Sequence, residues 1–279
     1  MTRRNMLGLV GGFASAAAVR ANAAPGSTHG GRPWPFKIGV CTYSLHDFAR
    51  NLAISMIKQL GVTYVSVKDF HIPYWSTPQE IAKAKNDFKK AGLVIASGGN
   101  MDMKENDPAA LRKFFDYARA CGMPMIVAAP THENLPAIET LAKEYDIKVA
   151  IHTHGPEDPN FPAPKIVLDA AKGMDPRMGL CMDVGHSMRA GADVVQEIAN
   201  AGSRLLDMHM KDLADRNEKK SQCDVGEGVM PVVDIFKGLQ RIGYTGCVNL
   251  EYEINSSNPV PGMLHSLGYM NGVLAGLAG

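Results

Sequence analysis

Residues 204–212 read RLLDMHMKD. In this run two ionisable residues, Asp207 and His209, alternate with Leu206, Met208 and Met210. Successive side chains of a β-strand point to opposite faces, so the alternation predicts a strand over Arg204–His209. In a barrel the large apolar side chains face the surrounding helices. The ionisable set of this strand is therefore expected to face the barrel axis.

Seven similar runs lie on either side of this one, with amphipathic stretches between them. The other predicted strands are Phe36–Thr42, Tyr64–Lys68, Leu93–Ser97, Met125–Ala129, Ile147–His152, Met178–Asp183 and Gly246–Glu251. Predicted helices include Pro78–Ala91, Pro108–Cys121, Leu135–Tyr145, Ala192–Asn200 and Val232–Ile242. Eight strands alternating with helices predict a parallel α/β sheet, and closure into a barrel pairs every strand edge. We therefore expect residues 35–279 to form a single-domain (β/α)₈ TIM barrel.

The same alternation places a ligand-type side chain at the inward end of each of the last four strands. These residues are His152, Asp183, His209 and Glu251. The C-terminal ends of barrel strands meet at one face, where the active sites of this fold lie. Two imidazoles and two carboxylates suit Mn, Zn, Co, Fe or Ni better than calcium, which prefers oxygen ligands. The pattern predicts one divalent metal, whose identity stays open.

Five short motifs resemble those of one known family. They are AIHTHGPED (150–158), MDVGH (182–186), HMKD (209–212), VGEG (225–228) and NLEYE (249–253). They are similar to the sugar phosphate isomerase/epimerase branch of the xylose-isomerase-like TIM barrel superfamily. The resemblance implies that Asp183, His209 and Glu251 hold the metal. His152 stands where epimerases of the family carry a second glutamate, which leaves Glu251 as the only carboxylate base.

Further candidate residues lie at or just after strand ends. The resemblance implies a substrate contact for His186, and His154 is an alternative to His152 as the metal ligand. Lys68 ends the second strand on its inward face, so it is either a proton-transfer group or a lysine of the barrel rim. Lys211 either positions substrate or pairs with Asp212 to cap the next loop.

The loops after strands hold the remaining candidates. His71 and Arg189 are assigned to substrate binding, and the pair Tyr74-Trp75 either stacks on a sugar or forms ordinary loop surface. The catalytic assignments are Glu251, Lys68 and His152.

The resemblance and the ligand set together imply a metal-dependent sugar isomerase or epimerase. The base would remove a proton next to a metal-polarised carbonyl of a sugar or keto-sugar. One alternative is a lyase or hydrolase that cleaves 3-keto-glycosides by elimination. An alternative of another class is a sugar-binding barrel without activity.

Charge and composition limit the partners. The formal net charge is +1 with acids and bases interspersed, so no basic stripe for nucleic acid is evident, which argues against the nucleases of the same superfamily. No GxGxxG or GxxxxGK[ST] element favours a nucleotide site. The five cysteines lack CxxC spacing, and we expect no structural disulfide. The partner is a small carbohydrate, and a homodimer stays open.

The N-terminus has the pattern of an export signal. Arg3 and Arg4 precede an apolar run over 6–19, and Ala21-Asn22-Ala23 has the small-x-small pattern of a signal-peptidase site. The start resembles a twin-arginine signal, which routes folded proteins across the bacterial inner membrane. We expect a signal peptide over 1–24, a linker over 25–34, a periplasmic location, and no stable membrane association after cleavage.

The double substitution Arg3→Lys/Arg4→Lys is expected to trap the precursor in the cytoplasm, because this export route reads the arginine pair. Cell fractionation and immunoblotting measure the distribution, with Arg20→Lys as the matched control. Normal export of the double variant would remove the twin-arginine assignment.

Overall fold

A computed structural model describes residues 35–278. The predicted signal peptide and linker lie outside these residues. The strands are β1 (Lys37–Cys41), β2 (Tyr64–Val67), β3 (Val94–Met103), β4 (Met125–Pro130), β5 (Lys148–His152), β6 (Met178–Asp183), β7 (Leu205–Met210), β8 (Asp212–Leu213), β9 (Gln222–Cys223) and β10 (Cys247–Leu250). Eight of the strands in this part of the chain close into a parallel barrel, in the order β1-β10-β7-β6-β5-β4-β3-β2. The predicted TIM barrel is confirmed.

Helices follow most barrel strands and surround the sheet. They are α1 (Arg50–Leu60), α2 (Pro78–Lys90), α3 (Pro108–Cys121), α4 (Leu135–Tyr145), α5 (Pro164–Ala170), α6 (Val184–Arg189), α7 (Val194–Ala201), α8 (Val232–Arg241) and α9 (Val260–Ala278). The five predicted helices are present with small differences at their ends. The short antiparallel pair β8–β9 follows the seventh barrel strand and was not predicted. No helix between residues 35 and 278 has the length and apolar character that crossing a bilayer requires.

The alternation of side chains along the strands separates an apolar core outside the barrel from a smaller apolar cluster inside it. Outward residues such as Val149, Ile151, Leu180 and Met182 belong to the main core between the sheet and the helices. Inside the barrel, a separate small cluster contains Met125, Val127, Ala150 and Cys181. This small apolar cluster therefore fills part of the barrel axis below the C-terminal mouth.

A buried polar network lies in the barrel interior below the strand ends. The Asp207 carboxylate accepts hydrogen bonds from Ser97 Oγ at 2.9 Å and from Asn249 Nδ2 at 2.8 Å. Burial raises the pKa of Asp207 to about 6. Because the three side chains come from β3, β7 and β10, the network ties distant strands together across the axis.

The predicted facing of Leu206 was wrong. It was expected to face outward with Met208, but it packs against the interior cluster. The register between β6 and β7 shifts at this point, with Leu180 opposite Leu205 and Cys181 opposite Asp207. The extra residue is a β-bulge, which re-aims one side chain and cannot be read from simple alternation.

β3 is longer than predicted. It continues to Met103, past the predicted end at Ser97, because its last residues pair with β4. All five cysteines lie within residues 35–278 and are free, which confirms the expected absence of a disulfide.

Helix α2 begins with a capping box. Thr77 Oγ1 accepts a hydrogen bond from the Glu80 backbone N–H at 3.3 Å, and Glu80 Oε2 accepts one from the Thr77 N–H at 2.7 Å. Thr77→Ala is expected to lower the free energy of unfolding by about 1 kcal/mol, because a helix N-terminus loses its side-chain acceptor. Urea denaturation measures the change. The control Thr140→Ala, at an exposed site within α4, should leave stability unchanged; an equal loss in both variants would contradict the capping role.

Candidate functional site

Four side chains meet at the C-terminal mouth of the barrel. His152 and Asp183 end β5 and β6, His209 lies near the end of β7, and Glu251 directly follows β10. One donor atom from each residue lies within 4.8 Å of the others, and all four residues are buried. His209 Nδ1 is 3.1 Å from His152 Nε2 and 3.2 Å from Glu251 Oε2. The structure therefore brings together the four residues that the sequence assigned to the metal, and we call them the tetrad.

Lys211 lies beside the tetrad as a buried cation. Its Nζ is 2.9 Å from Asp183 Oδ2, 2.9 Å from Glu251 Oε2 and 2.7 Å from Glu253 Oε2. Burial by itself would lower the pKa of Lys211, but the three carboxylates hold it well above its ordinary value. The ammonium therefore compensates the negative charge of two tetrad members and does not pair with Asp212.

The protonation states of Glu251 and His152 suit cation binding, whereas His209 would have to lose a proton to bind a metal. Burial alone would lower the pKa of His209, but the neighbouring thiols and Glu251 outweigh it and hold that pKa well above its ordinary value. Burial alone would raise the pKa of Glu251, but Lys211 and His209 outweigh it and hold that pKa well below its ordinary value. Burial lowers the pKa of His152 well below its usual range, so its imidazole is neutral. An ionised carboxylate and a neutral imidazole are the forms in which these groups bind metals.

Orientation and unused donor atoms give a second test of the fit to a metal. Asp183 Oδ1 accepts a hydrogen bond from the His186 N–H at 2.8 Å, which fixes the carboxylate at the start of α6. Its buried Oδ2, which approaches Lys211, completes no hydrogen bond of good geometry. The converging ring nitrogens are His152 Nε2 and His209 Nδ1, 3.1 Å apart. Buried polar atoms are otherwise nearly always satisfied, so the unsatisfied Asp183 Oδ2 beside these two nitrogens fits a divalent cation.

A pocket of about 280 Å³ opens above the tetrad. Its lining residues are Tyr43, Lys68, Asn100, Asp102, Lys104, Ala129, His152, His154, His186, Glu251 and Glu253. Lys68 Nζ donates a hydrogen bond to the Asn100 carbonyl at 2.5 Å and lies 3.1 Å from Asp69 Oδ1. Burial lowers the pKa of His186. The pocket therefore combines a neutral imidazole, a lysine and a carboxylate around one small space.

Several sequence-predicted residues lie elsewhere. His71 and Arg189 are not among the described residues that line the pocket. The His71 ring is buried beside the backbone of Leu45 and Phe48, and Arg189 pairs with Glu157. His154 lines the pocket but stands outside the tetrad, with its Nδ1 3.7 Å from Asp158 Oδ2. The geometry thus favours His152 over His154 as the metal ligand.

Asp212 has the loop-capping position that the sequence left open. Its carboxylate accepts hydrogen bonds from the backbone N–H groups of Gly226, Gly228 and Met230 at 2.9, 3.2 and 2.9 Å. A Cβ at position 228 would lie 2.3 Å from Asp212 Oδ1, so the VGEG motif needs glycine there. The motif therefore supports a loop next to the pocket.

The sequence analysis did not predict some of the residues that line the pocket. They are Tyr43, Asn100, Asp102, Lys104 and Glu253. Asn100 and Asp102 lie in the unpredicted extension of β3, so the sequence carried no signal for their position. Tyr43 and Glu253 lie two and three residues past the ends of their strands, and closer attention to strand-end loops could have found them.

Comparison with known proteins gives the family. Residues 54–272 match the xylose isomerase-like TIM barrel family. The chain belongs to this family. A comparison with curated protein sequences finds no significant match.

Solved structures of the family share the fold. An uncharacterised protein from Parabacteroides distasonis is 27% identical, with a TM-score of 0.67, over 85% of this chain and 99% of that one. A D-psicose 3-epimerase solved in the presence of D-fructose is 16% identical, with a TM-score of 0.68, over 88% of this chain and 100% of that one. The probable 3-DHS dehydratase of Bacillus anthracis is 12% identical, with a TM-score of 0.70, over 85% of this chain and 99% of that one. At the last two identities the similarity concerns the fold.

Asp183→Asn and His209→Ala are expected to weaken divalent-metal binding roughly tenfold or more, because each removes a donor of the tetrad. Metal content after dialysis against Mn²⁺ or Zn²⁺, measured by inductively coupled plasma mass spectrometry, gives the result. His154→Ala is the matched control and should keep wild-type metal content. Circular dichroism verifies folding, and undiminished metal in both tetrad variants would reject the site.

Proposed function

We propose that this protein is a divalent-metal-dependent enzyme that acts on a sugar or keto-sugar by proton abstraction next to a carbonyl. The reaction class is isomerisation or epimerisation. The observation that carries the proposal is the buried tetrad at the floor of a small polar pocket. Membership in the xylose isomerase-like family and the structural similarity to a sugar epimerase support the substrate class.

Glu251 is the proposed proton acceptor. His152, Asp183, His209 and Glu251 would hold a divalent cation, which would supply Lewis-acid polarisation of the substrate carbonyl. The Glu251 carboxylate is ionised and lines the pocket, so it can accept the proton next to the carbonyl. Lys211 stabilises its charge from the buried side. The residue therefore works as a base that is already in its reactive form.

Lys68 and His186 bind and orient the sugar in this proposal. Both line the pocket, and Lys68 Nζ can donate hydrogen bonds to a substrate oxygen in addition to its bond to Asn100. The neutral His186 imidazole has a buried Nδ1 without a hydrogen-bond partner. It can exchange a hydrogen bond, or a proton, with a substrate hydroxyl.

A second candidate reaction is elimination from a 3-keto-glycoside. It starts with the same proton abstraction, but the group on the next carbon leaves instead of a proton returning. His152 stands where a second glutamate would be needed for a two-base epimerisation, and its imidazole is neutral and buried. One carboxylate base is enough for elimination or for isomerisation.

The predicted export signal would place this chemistry in the periplasm, where phosphorylated sugars are scarce. A small unphosphorylated carbohydrate is therefore the proposed partner. The balanced charge of the chain gives no support for a nucleic-acid substrate.

Metal-loaded protein incubated in D₂O with a free ketose and with a 3-keto-glucoside tests the proposal by NMR. Deuterium incorporation next to the carbonyl without cleavage is the result expected for isomerase chemistry, and release of the aglycone is expected for elimination. Glu251→Gln should slow either reaction by about 100-fold or more, because it removes the base. Binding of these sugars without exchange or cleavage would instead indicate a non-catalytic sugar-binding barrel.

Two further variants separate the base from its surroundings. Lys68→Met should lower turnover while metal content stays unchanged, and an unchanged rate would assign Lys68 to the rim. Asp102→Asn, at an exposed position of the pocket wall, is the matched carboxylate control and should react like the wild type.

A further inference from the structure

Three aromatic rings lie against one another at the mouth of the barrel. The ring centroids of Tyr43 and His46 are 5.1 Å apart with nearly parallel planes, and Phe70 lies 6.0 Å from Tyr43 and 5.7 Å from His46. We call these three residues the aromatic platform. Phe70 is 52% exposed, and its ring adjoins the two half-buried rings of Tyr43 and His46.

The platform is continuous with the catalytic pocket. Tyr43 lines the pocket together with Lys68 and Glu251, while its ring face packs on His46 and Phe70. A ligand that fills the pocket therefore meets the platform directly at its outer edge.

The pocket by itself is small. Its volume of about 280 Å³ lies at the lower limit of ligand pockets, which span roughly 300–1,000 Å³. It has room for one sugar unit, and any larger ligand must continue out of the mouth. Phe70 does not line the pocket itself, but its ring packs against Tyr43, which does.

The exposed aromatic pair Tyr74-Trp75 does not offer such a surface. Tyr74 packs edge-on against Phe114 and Tyr117, and Trp75 is 82% exposed without lining the pocket. The sequence left this pair open as either a sugar-stacking site or ordinary loop surface. The structure places an aromatic surface beside the pocket through Tyr43, His46 and Phe70 instead.

We propose that the aromatic platform is a second subsite that binds a ring carried on the glycosidic oxygen of the sugar in the pocket. The substrate class is then a glycoside or a disaccharide rather than a free monosaccharide. The inference rests on the proposed function for the placement of the first sugar in the pocket. The apolar face of a pyranose and the face of an aryl ring share the chemistry that stacks on an aromatic side chain.

Isothermal titration calorimetry with three probes tests the subsite without requiring turnover. Methyl β-D-glucoside carries no second ring, cellobiose carries a second pyranose, and phenyl β-D-glucoside carries an aryl ring. At least one ring-bearing probe should bind roughly three- to tenfold more tightly than the methyl glucoside, as one aromatic contact predicts. Tighter binding of cellobiose would identify the second ring as a pyranose, and tighter binding of phenyl β-D-glucoside would identify it as an aryl group.

Variants at the exposed aromatic positions complete the test. Phe70→Ala should remove the preference for the ring while leaving the affinity for methyl β-D-glucoside unchanged, and Phe70→Trp should keep the preference. Trp75→Ala is the matched control and should behave as the wild type. Equal affinity for all three probes, no binding of any probe, a preference that survives Phe70→Ala, or one that Trp75→Ala also removes would overturn the proposal.

The binding test of the aromatic platform and the D₂O test of the reaction can fail independently. Ring-dependent binding through Phe70 without deuterium exchange or cleavage would retain the subsite and refute the proposed reaction. Exchange with free ketoses and no ring preference would retain the reaction and refute the subsite.

Discussion

The contact between Lys211 and the carboxylates of Asp183 and Glu251 is the interaction on which the rest of this site depends. Two acidic groups buried side by side repel each other and lose hydration, and an unpaired one would take up a proton. The buried ammonium holds the pKa of Glu251 well below its ordinary value and lies 2.9 Å from Asp183 Oδ2. It also bonds to Glu253, which lies outside the tetrad. The floor of the pocket thus carries two carboxylates that a buried ammonium pairs with inside the fold.

The barrel holds this charged floor in place through successive polar layers. Below it, Asp207 joins Ser97 and Asn249 across the axis. Beside it, Asp212 organises the glycine-containing loop, and Gln222 on β9 donates a hydrogen bond from Nε2 to the Glu251 carbonyl at 2.7 Å. Side chains that are supported on several sides lose little order when a ligand binds, which is the physical basis of a preorganised site.

Above the floor, the pocket changes character toward the solvent. The tetrad end is polar and buried, whereas the mouth presents the exposed ring of Phe70. This gradient suits a ligand with a polar reacting part and a flatter, less polar extension.

Local sequence determined the eight strands, the inward face of each strand and the convergence of four ligand-type residues. These features follow from the period-two alternation of side chains, which neighbouring residues encode. The inward position of Leu206, the extension of β3 with Asn100, the pairing of Lys211 with Asp183 and the aromatic platform depend on contacts between residues far apart in the chain. Strand register, bulges and loop packing arise only when the ring of strands closes. No local pattern along the chain encodes them.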